Sequence, residues 1–350
     1  MLKKKIVLVI VTHNGRHYLP DCLASLGRQT YPKSLVKIIV IDNNSSDSTV
    51  EYLKERHPEI KIIANRRNLG FAGANNQGYF LAQKSEADYL VLLNQDTIVE
   101  KNWLSRLVRL AETDSQIAMV QPKLLLYPEK QLINSLGNSI HFLGFAFCNF
   151  YRFKYQHGVT MPFEVPYASG AACLIRMSAI EKTGLFDSRL FMYHEDVDLG
   201  WRLRLAGYKI LLDPLSVVYH KYHYSKAKYK FYYLERNRWL VILQNYRLAT
   251  LFLFLPALLV MELGVVFFAF QNGWVKEKIN GWFWLLLHWP SILSQRLRVQ
   301  FGIRKVSDKE ILKLFTSSVK FEEIRSPWLV YLVNPLTTVY FWLAKRIIFW

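Results

Sequence analysis

Cysteine is scarce in this chain: three residues in 350, Cys22, Cys148 and Cys173, far apart in the sequence. That count and spacing exclude a disulfide scaffold and a clustered-thiol metal site. They fit a reducing compartment in which the thiols pack as core. Low-complexity tracts and internal repeats are also lacking. Acidic residues are few, 27 against 45 Lys and Arg, which leaves a formal net charge of +18. A surplus of this size implies an anionic partner: nucleic acid, a phospholipid surface, or the phosphates of a nucleotide ligand. No RNA- or DNA-binding motif accompanies the charge, and much of it is interleaved with apolar segments, so nucleic acid is not the expected partner. The start, MLKKKIVLVIVTHNG, is basic and then short and β-rich. It lacks the long apolar run of a secretory signal.

What is present is apolar material, 51% of the chain, distributed in two different ways. Up to about residue 235, Val/Ile-rich runs alternate with helix-like segments. Strands are expected at Lys5–Thr12, Val36–Asp42, Ile60–Ala64 and Asp88–Asn94, and helices at His17–Arg28, from the Ser46, Ser48 and Thr49 cap residues to Arg56, and at Phe71–Lys84. Strand, helix, strand in repetition means an α/β fold, a mostly parallel Rossmann-like sheet covered by helices. Ligands of such sheets bind outside the carboxyl ends of the strands, where the polar loops THNG, DNNSSD and NQDT fall.

Beyond about residue 235 the pattern changes. Leu248–Phe270 holds 23 residues with one charge, Glu262. At ~20 residues per crossing it is long enough to span a bilayer, although Pro256 and Glu262 interrupt it. Gly281–Trp289 is shorter and Trp-rich, which suits the headgroup zone, and the segment from Ser326 to Arg346 is similar but broken by Pro335. From 231 to 350 there are 15 Lys and Arg against 7 Asp and Glu, a net of +8. Basic residues beside Trp-rich apolar segments suit an anionic membrane surface. The expected organisation is a catalytic domain over 1–240 and a hydrophobic, basic, membrane-associating helical region over 241–350. The run Glu235-Arg236-Asn237-Arg238 at the junction reads either as a solvated helix face or as a contact for phosphate.

Several loops carry residues suited to chemistry. VTHN (Val11–Asn14) and IDNNSSD (Ile41–Asp47) offer short polar side chains to a nucleobase and ribose, and the same residue types also build turns. Asn65–Gly78 is dense in Gly, Ala and Asn and opens a helix, either for close approach to a ligand or for close packing on the sheet. LVLLNQDTIV ends a strand with Asn94-Gln95-Asp96, where a carboxylate can hold a hard divalent cation. FMYHEDVDLGWRLRLAGY (Phe191–Tyr208) crowds His194, Glu195, Asp196 and Asp198 among apolar residues. Acids at its start, Arg202 and Arg204 later and Gly207 as a stop predict a helix, with Glu195 and Asp196 in its first turn. A carboxylate there can accept a proton from a hydroxyl. Trp201, Tyr193 and Phe191 read as core or as stacking surfaces for a sugar. KILLDPLSVVYH (Lys209–His220) ends in a histidine at a strand terminus.

In this order the motifs VTHN, IDNNSSD, NLGFAGANNQG, LLNQDT, ASGAACLIR, GLFDSRLFMYHEDVDLGWRLRLAGY and VVYH resemble glycosyltransferase family 2, of GT-A fold, over roughly residues 5–240. The nearest likeness is to its bacterial rhamnosyltransferase-like and galactofuranosyltransferase-like branch. The resemblance implies an inverting, metal-dependent transfer of a sugar from a nucleotide diphosphate, dTDP or UDP, to a hydroxyl of a glycan acceptor. That acceptor would be lipid-linked, at the cytoplasmic face of the membrane, in cell-surface polysaccharide synthesis. It implies that Thr12, Asn14, Asp42 and Asn43 contact the nucleoside. Asn68, Gly73 and Asn76 would line the donor, and Asn94 would hydrogen-bond the ribose or a metal-bound water. Asp96 and His220 would hold Mg²⁺ or Mn²⁺, and Asp196, paired with Glu195, would be the general base. Asn94 stands where the family's metal motif usually begins with an acid, and Asn43 where many members carry a second Asp. A catalytically inactive membrane-bound scaffold of the same fold and a nucleotidyltransferase are the rival readings. A nucleotidyltransferase would carry a Gly-rich triphosphate loop with basic residues near the N-terminus, which GRHYLP is not.

Overall fold

The computed structural model describes residues 4–156, 158–222, 227–320 and 327–350. The chain divides into two compact units. One is formed by residues 1–138, 148–199 and 208–223, the other by 139–147, 200–207 and 224–350.

The first unit is built on one large sheet. Its early elements are β1 (Ile6–Thr12), α1 (Leu19–Gly27), β2 (Val36–Asp42), α2 (Thr49–Arg56), β3 (Lys61–Ala64), α3 (Gly70–Lys84) and β4 (Tyr89–Asn94). β1 pairs in parallel with both β2 and β4, and β2 with β3. These are the expected strands, and the connecting helices cover the sheet. Next along the chain come β5 (Thr97–Val99), α4 (Trp103–Ala111), β6 (Ile117–Leu126), β7 (Ile133–Ser135), β8 (Asn138–Ile140), β9 (Ala146–Cys148), β10 (Phe163–Glu164), β11 (Ala172–Arg176), α5 (Met177–Thr183), α6 (Glu195–Leu205) and β12 (Lys209–His220); most of β8 and β9 and the later half of α6 belong to the second unit. The strand order is β10-β12-β6-β11-β4-β1-β2-β3, with β5 on β12, β7 on β6, and β8 paired with β9 apart. Antiparallel strands enter here: β11 runs against both β4 and β6, and β5 against β12. Lys209–His220 forms one strand across Asp213-Pro214, with its register shifted there.

One face of the sheet packs Ile6, Leu8, Ile10, Val40, Val91 and Leu93 against Leu19, Cys22, Trp103, Leu104 and Val108 from α1 and α4. On α3, Gly78 lies so close to β1 that a Cβ there would stand 2.5 Å from Val9 Cγ2. Part of the small-residue run is therefore spent on close helix–sheet packing. Cys22 and Cys173 are buried free thiols, as core packing requires. The Ser48 side chain makes no cap bond to α2. Thr49 and Asp47 hold the preceding loop instead: Thr49 Oγ1 accepts the Gly15 amide at 3.1 Å and Asp47 accepts that of Arg16 at 3.1 Å.

The second unit is helical: α7 (Lys228–Asn245), α8 (Leu248–Gln271), α9 (Val275–Leu287), α10 (Trp289–Leu297), α11 (Asp308–Ile311) and α12 (Asn334–Ile347). Glu235, Arg236, Asn237 and Arg238 are all buried, which corrects the reading of this run as a solvated face or a phosphate contact. Arg238 pairs with Glu235 at 2.9 Å and with Glu262 at 2.7 Å, and Lys278 pairs with the same two carboxylates at 2.5 and 2.6 Å. Two cations and two anions from α7, α8 and α9 thus balance in one interior network. The attraction holds the Glu235 carboxyl down at about 2 despite burial. Trp201 is fully buried, edge-to-face with Tyr246 and Phe315 at 4.5 and 4.7 Å, so it packs as core and not on a sugar.

Candidate active site

The loops after β1, β2 and β4 are knitted together at the carboxyl rim of the sheet. Thr12 Oγ1 donates to Gln95 Oε1, which also accepts the His13 amide at 3.1 Å, and Gln95 Nε2 donates to the His13 carbonyl. Asn14 has a positive φ, takes the Ser46 amide on Oδ1 at 2.8 Å, and donates its own amide to Ser45 Oγ at 2.8 Å. The Asn43 side chain is fully used. Nδ2 donates to Asn68 Oδ1 and the Gly70 carbonyl, while Oδ1 accepts from Asn65 Nδ2 and the Leu69 amide. Thr12, Asn14, Asn43 and Asn68 therefore use their side-chain oxygens to hold loops. Asp42 differs. Its Oδ2 accepts the Ser45 amide at 3.0 Å, while Oδ1 is buried without a partner among the described residues. A buried carboxylate oxygen left unpaired is costly, so a ligand donor is the natural complement.

The segment after this rim is set by backbone geometry. Gly70 has φ +72°, and a Cβ there would stand 2.4 Å from the Phe191 carbonyl, which also accepts the Ala72 amide at 3.1 Å. Asn76 exchanges two bonds with the Phe186 backbone, at 2.9 and 3.1 Å. Gly73 and Asn76 line a shallow groove with Ile63, Gln77, Phe80 and Leu81. Gly70 and Asn76 thus dock the 186–191 segment onto α3, and Gly73 and Asn76 are not drawn into the Thr12–Gln95 cluster. Phe191, Tyr193 and His194 all have positive φ immediately before α6. Non-glycine residues in that region store strain, and clusters of them mark functional segments.

Two acidic positions then stand out. Asp96 Oδ1 lies 3.2 Å from His220 Nε2. The two are 124 positions apart in sequence, and the antiparallel pairing of β5 with β12 joins them, because His220 is opposite Thr97. His220 Nδ1 lies 2.9 Å from Asn134 Oδ1, a carbonyl oxygen that can only accept; with the proton on Nδ1, the neutral ring turns its Nε2 lone pair toward Asp96, as a ligand to a shared cation would be turned. An oxygen and an imidazole nitrogen converging this way fit a divalent cation. Among the described residues no group of three acidic, His or Cys side chains gathers. The Asn94 side-chain amide beside them has no protein partner among the described residues.

Asp196 sits in the first turn of α6, as expected. Oδ2 accepts the Gly170 amide at 3.1 Å and Oδ1 its neighbour's, Val197, at 2.8 Å. Burial raises its pKa to about 6, opposed by those amides. Glu195 is buried, with Oε2 unpaired among the described residues, and burial and then the Asp196 charge push its carboxyl far above the usual range. The arrangement is one neutral acid beside one carboxylate poised near neutrality. The Ser169–Ala171 loop links the two parts of the site: Gly170 holds Asp196, and the Ala171 carbonyl receives the Asn94 amide at 2.8 Å. Gly170, Gln95 and Asn134 were not recognised from the sequence as site residues. Gln95 lies inside NQDT and Gly170 inside ASGAACLIR, but no local signal marks Asn134.

The family model described as glycosyl transferase family 2 matches residues 7–184. The N-acetylglucosaminyl-diphospho-decaprenol L-rhamnosyltransferase of Mycobacterium tuberculosis is 30% identical over 237 residues, 62% of this chain and 76% of that protein. The poly-beta-1,6-N-acetyl-D-glucosamine synthase of Staphylococcus aureus is 25% identical over 214 residues, 61% of this chain. The chain spans about half that synthase, 48%. The crystal structure of S. aureus TarS 1–349 covers 98% of this chain and 90% of its own at TM-score 0.53 and 15% identity, a likeness of fold.

Proposed function

The chain belongs to glycosyltransferase family 2, and we propose that it moves a sugar from a nucleotide-diphosphate donor to a hydroxyl of a lipid-linked glycan, inverting the anomeric carbon. The observation that carries this reading is the site's polarity. Asp96, 3.2 Å from His220, follows the end of β4, and the Ser169–Ala171 loop joins that strand end, through the Asn94 amide, to Asp196, whose carboxyl is raised to about 6. The nucleotidyltransferase reading falls with family membership. A site with a tuned base and an unpaired nucleobase acceptor speaks against an inactive scaffold.

Asp42 Oδ1 takes the imide N–H of uracil or thymine, for which a single free carboxylate oxygen is the right acceptor. Asn94, with its free amide, hydrogen-bonds the donor. Asp96 and His220 would hold Mg²⁺ or Mn²⁺. When bound, that ion offsets charge on the departing diphosphate. Asp196 then accepts the proton of the attacking hydroxyl, and neutral Glu195 keeps a second charge out of the pocket. A direct attack without an enzyme-bound intermediate inverts the stereochemistry. A thermal-shift screen of nucleotide sugars with and without Mn²⁺ tests this reading: one donor stabilises the protein in the presence of Mn²⁺. The same response from every nucleotide, with or without the ion, refutes it.

The acceptor is assigned by the relatives' chemistry together with the second unit. Among the described residues, Leu248–Gln271 is the helix long and apolar enough to cross a membrane, and only 11% of its most apolar window is buried. Glu262 near its midpoint is bound by Arg238 and Lys278 and by the indoles of Trp239 and Trp282. α9 has 13 residues, too few to cross. A crossing α8 would carry both cations to mid-bilayer, a costly position. We therefore infer that α8 lies in the membrane plane with its apolar stripe inserted, on the cytoplasmic face where nucleotide sugars are supplied.

A further inference from the structure

Gln121 stands in the middle of β6, a strand buried along its whole length between β12 and β11. A carboxamide in such a strand is costly unless both of its ends are hydrogen-bonded. Here both are. Nε2 donates to Ser135 Oγ on β7 at 3.1 Å, and Oε1 accepts the backbone amide of Ser169 at 2.8 Å, with the Asn138 side-chain amide 3.0 Å from the same oxygen. The Gln121 side chain is fully buried, and what it holds is a loop.

That loop, Ser169 to Ala171, is pinned at three successive points. The Ser169 amide goes to Gln121, the Gly170 amide goes to Asp196 Oδ2 at 3.1 Å, and the Ala171 carbonyl receives the Asn94 amide at 2.8 Å. Neighbouring peptide planes meet at one Cα, so two backbone dihedrals at Ser169 couple the direction of its amide to that of Gly170. A Ser169 amide deprived of Gln121 must find another acceptor, and the Gly170 amide turns with it. Asp196 would then lose a donor that opposes the effect of its burial. The acceptor is also uncharged: a carboxylate in its place would bring another negative charge to the loop that holds Asp196. The other titratable groups around Asp196 are His194, Glu195 and Asp198 on its own segment, Tyr167 ahead of the loop and Cys173 on β11. Burial raises the pKa of Glu195, Tyr167 and Cys173, so each stays neutral while Asp196 titrates.

We propose that Gln121 is a positioning residue for the transfer reaction: its amide oxygen fixes the Ser169–Gly170 peptide so that the Gly170 amide stays on Asp196 and holds the carboxylate ready for the acceptor's proton. This assignment rests on the reading of Asp196 as the general base. Gln121 touches no reacting group itself and acts through the loop alone.

Carbon-13 NMR of the Asp196 carboxyl, assigned by its loss in Asp196→Asn, tests this on the intact chain without any substrate. The wild-type carboxyl titrates at about 6. Gln121→Met, similar in length but without the acceptor, moves that midpoint up by about half a pH unit or more. Gln121→Asn keeps the amide but ends one methylene short of Ser169. It moves the midpoint the same way, which covers a failure of the methionine variant to fold. In transfer assays the acid limb of kcat/KM moves up by the same amount, while the alkaline plateau and the KM for the donor are kept. A residue that only filled space would lower Tm and leave the midpoint where it was. An unmoved midpoint in a folded variant therefore overturns the positioning role and, where wild type is active, leaves glycosyl transfer standing. A moved midpoint in a protein that transfers no sugar from any nucleotide refutes the proposed function and leaves the hold of Gln121 on Asp196.

Discussion

The backbone amide of Gly170 donates to Asp196 Oδ2 at 3.1 Å. Gly170 has no Cβ to intervene: one placed there would stand 3.1 Å from the Phe71 ring and 3.8 Å from Asp196 Cβ. The proposed base is thus oriented by main chain, which a side-chain substitution elsewhere in the loop will not move.

Removal of that base gives the first prediction. Asp196→Asn keeps the shape and one of the two amide contacts, those of Gly170 and Val197 being made to different oxygens, but it cannot accept a proton, so kcat falls by ~10²–10⁴ while donor affinity by calorimetry is unchanged. In wild type, kcat/KM rises with pH through about 6 and is flat above, because the carboxylate is the active form. A profile flat from pH 5 to 7, or full turnover by Asp196→Asn, removes the assignment.

Glu195 gives a stability prediction of opposite sign. Its folded pKa is far above that of an unfolded glutamate. Between the two values the unfolded chain releases a proton that the folded one keeps, so stability falls as pH rises through that window. Glu195→Gln mimics the protonated acid and removes this dependence. The variant melts higher than wild type at pH 7.5, and the gain vanishes at pH 4. A lower Tm for the variant at pH 7.5 would show that the acid is ionised in the fold.

Metal binding should depend on one residue that touches no ligand. Asn134→Ala deprives His220 of the partner that fixes its tautomer, and losses of 10–100-fold in metal affinity are typical for such changes. Mn²⁺ titration should show that loss for Asn134→Ala and a larger one for Asp96→Ala, with chelator abolishing activity in wild type. Metal-independent transfer would contradict the proposed role of the Asp96–His220 pair.

Much of this could be read from the sequence because the signals were local. Val/Ile runs ending in Asn and Asp clusters placed β1, β2 and β4 and the rim they share, and acids before Arg202, Arg204 and Gly207 placed α6. What stayed hidden depends on pairing across the chain. The β5–β12 register brings Asp96 to His220, and nothing near Leu132 or Ile133 hints that Asn134 supports that histidine. The loop residues Thr12, Asn14 and Asn43 have the side chains of ligand contacts, yet they bond one another's loops, because a rim of turns must satisfy its own backbone before it meets a ligand. Arg236 and Arg238 look solvent-facing in any local window. They are interior because their partners lie on other helices or in their own buried helix.

The membrane face gives the last prediction. Phe252, Leu259, Leu263, Phe267 and Phe270 repeat at intervals of seven, four, four and three along α8, one stripe at helical period, and each is more than half exposed. An apolar stripe of this length left in water costs about 25 cal/mol for every Å², and inserting it into a bilayer recovers that energy without disturbing Glu262, whose partners occupy the packed side. Leu263→Glu or Phe267→Glu puts a charge on the inserted side and should release the protein from anionic vesicles in a flotation assay, with an unaltered melting curve in solution. Cysteines placed at Leu248 and Phe270 should both react with a membrane-impermeant thiol reagent added from the side that carries the protein. Protection of one end alone would mean that α8 crosses the bilayer, and the in-plane assignment would fall.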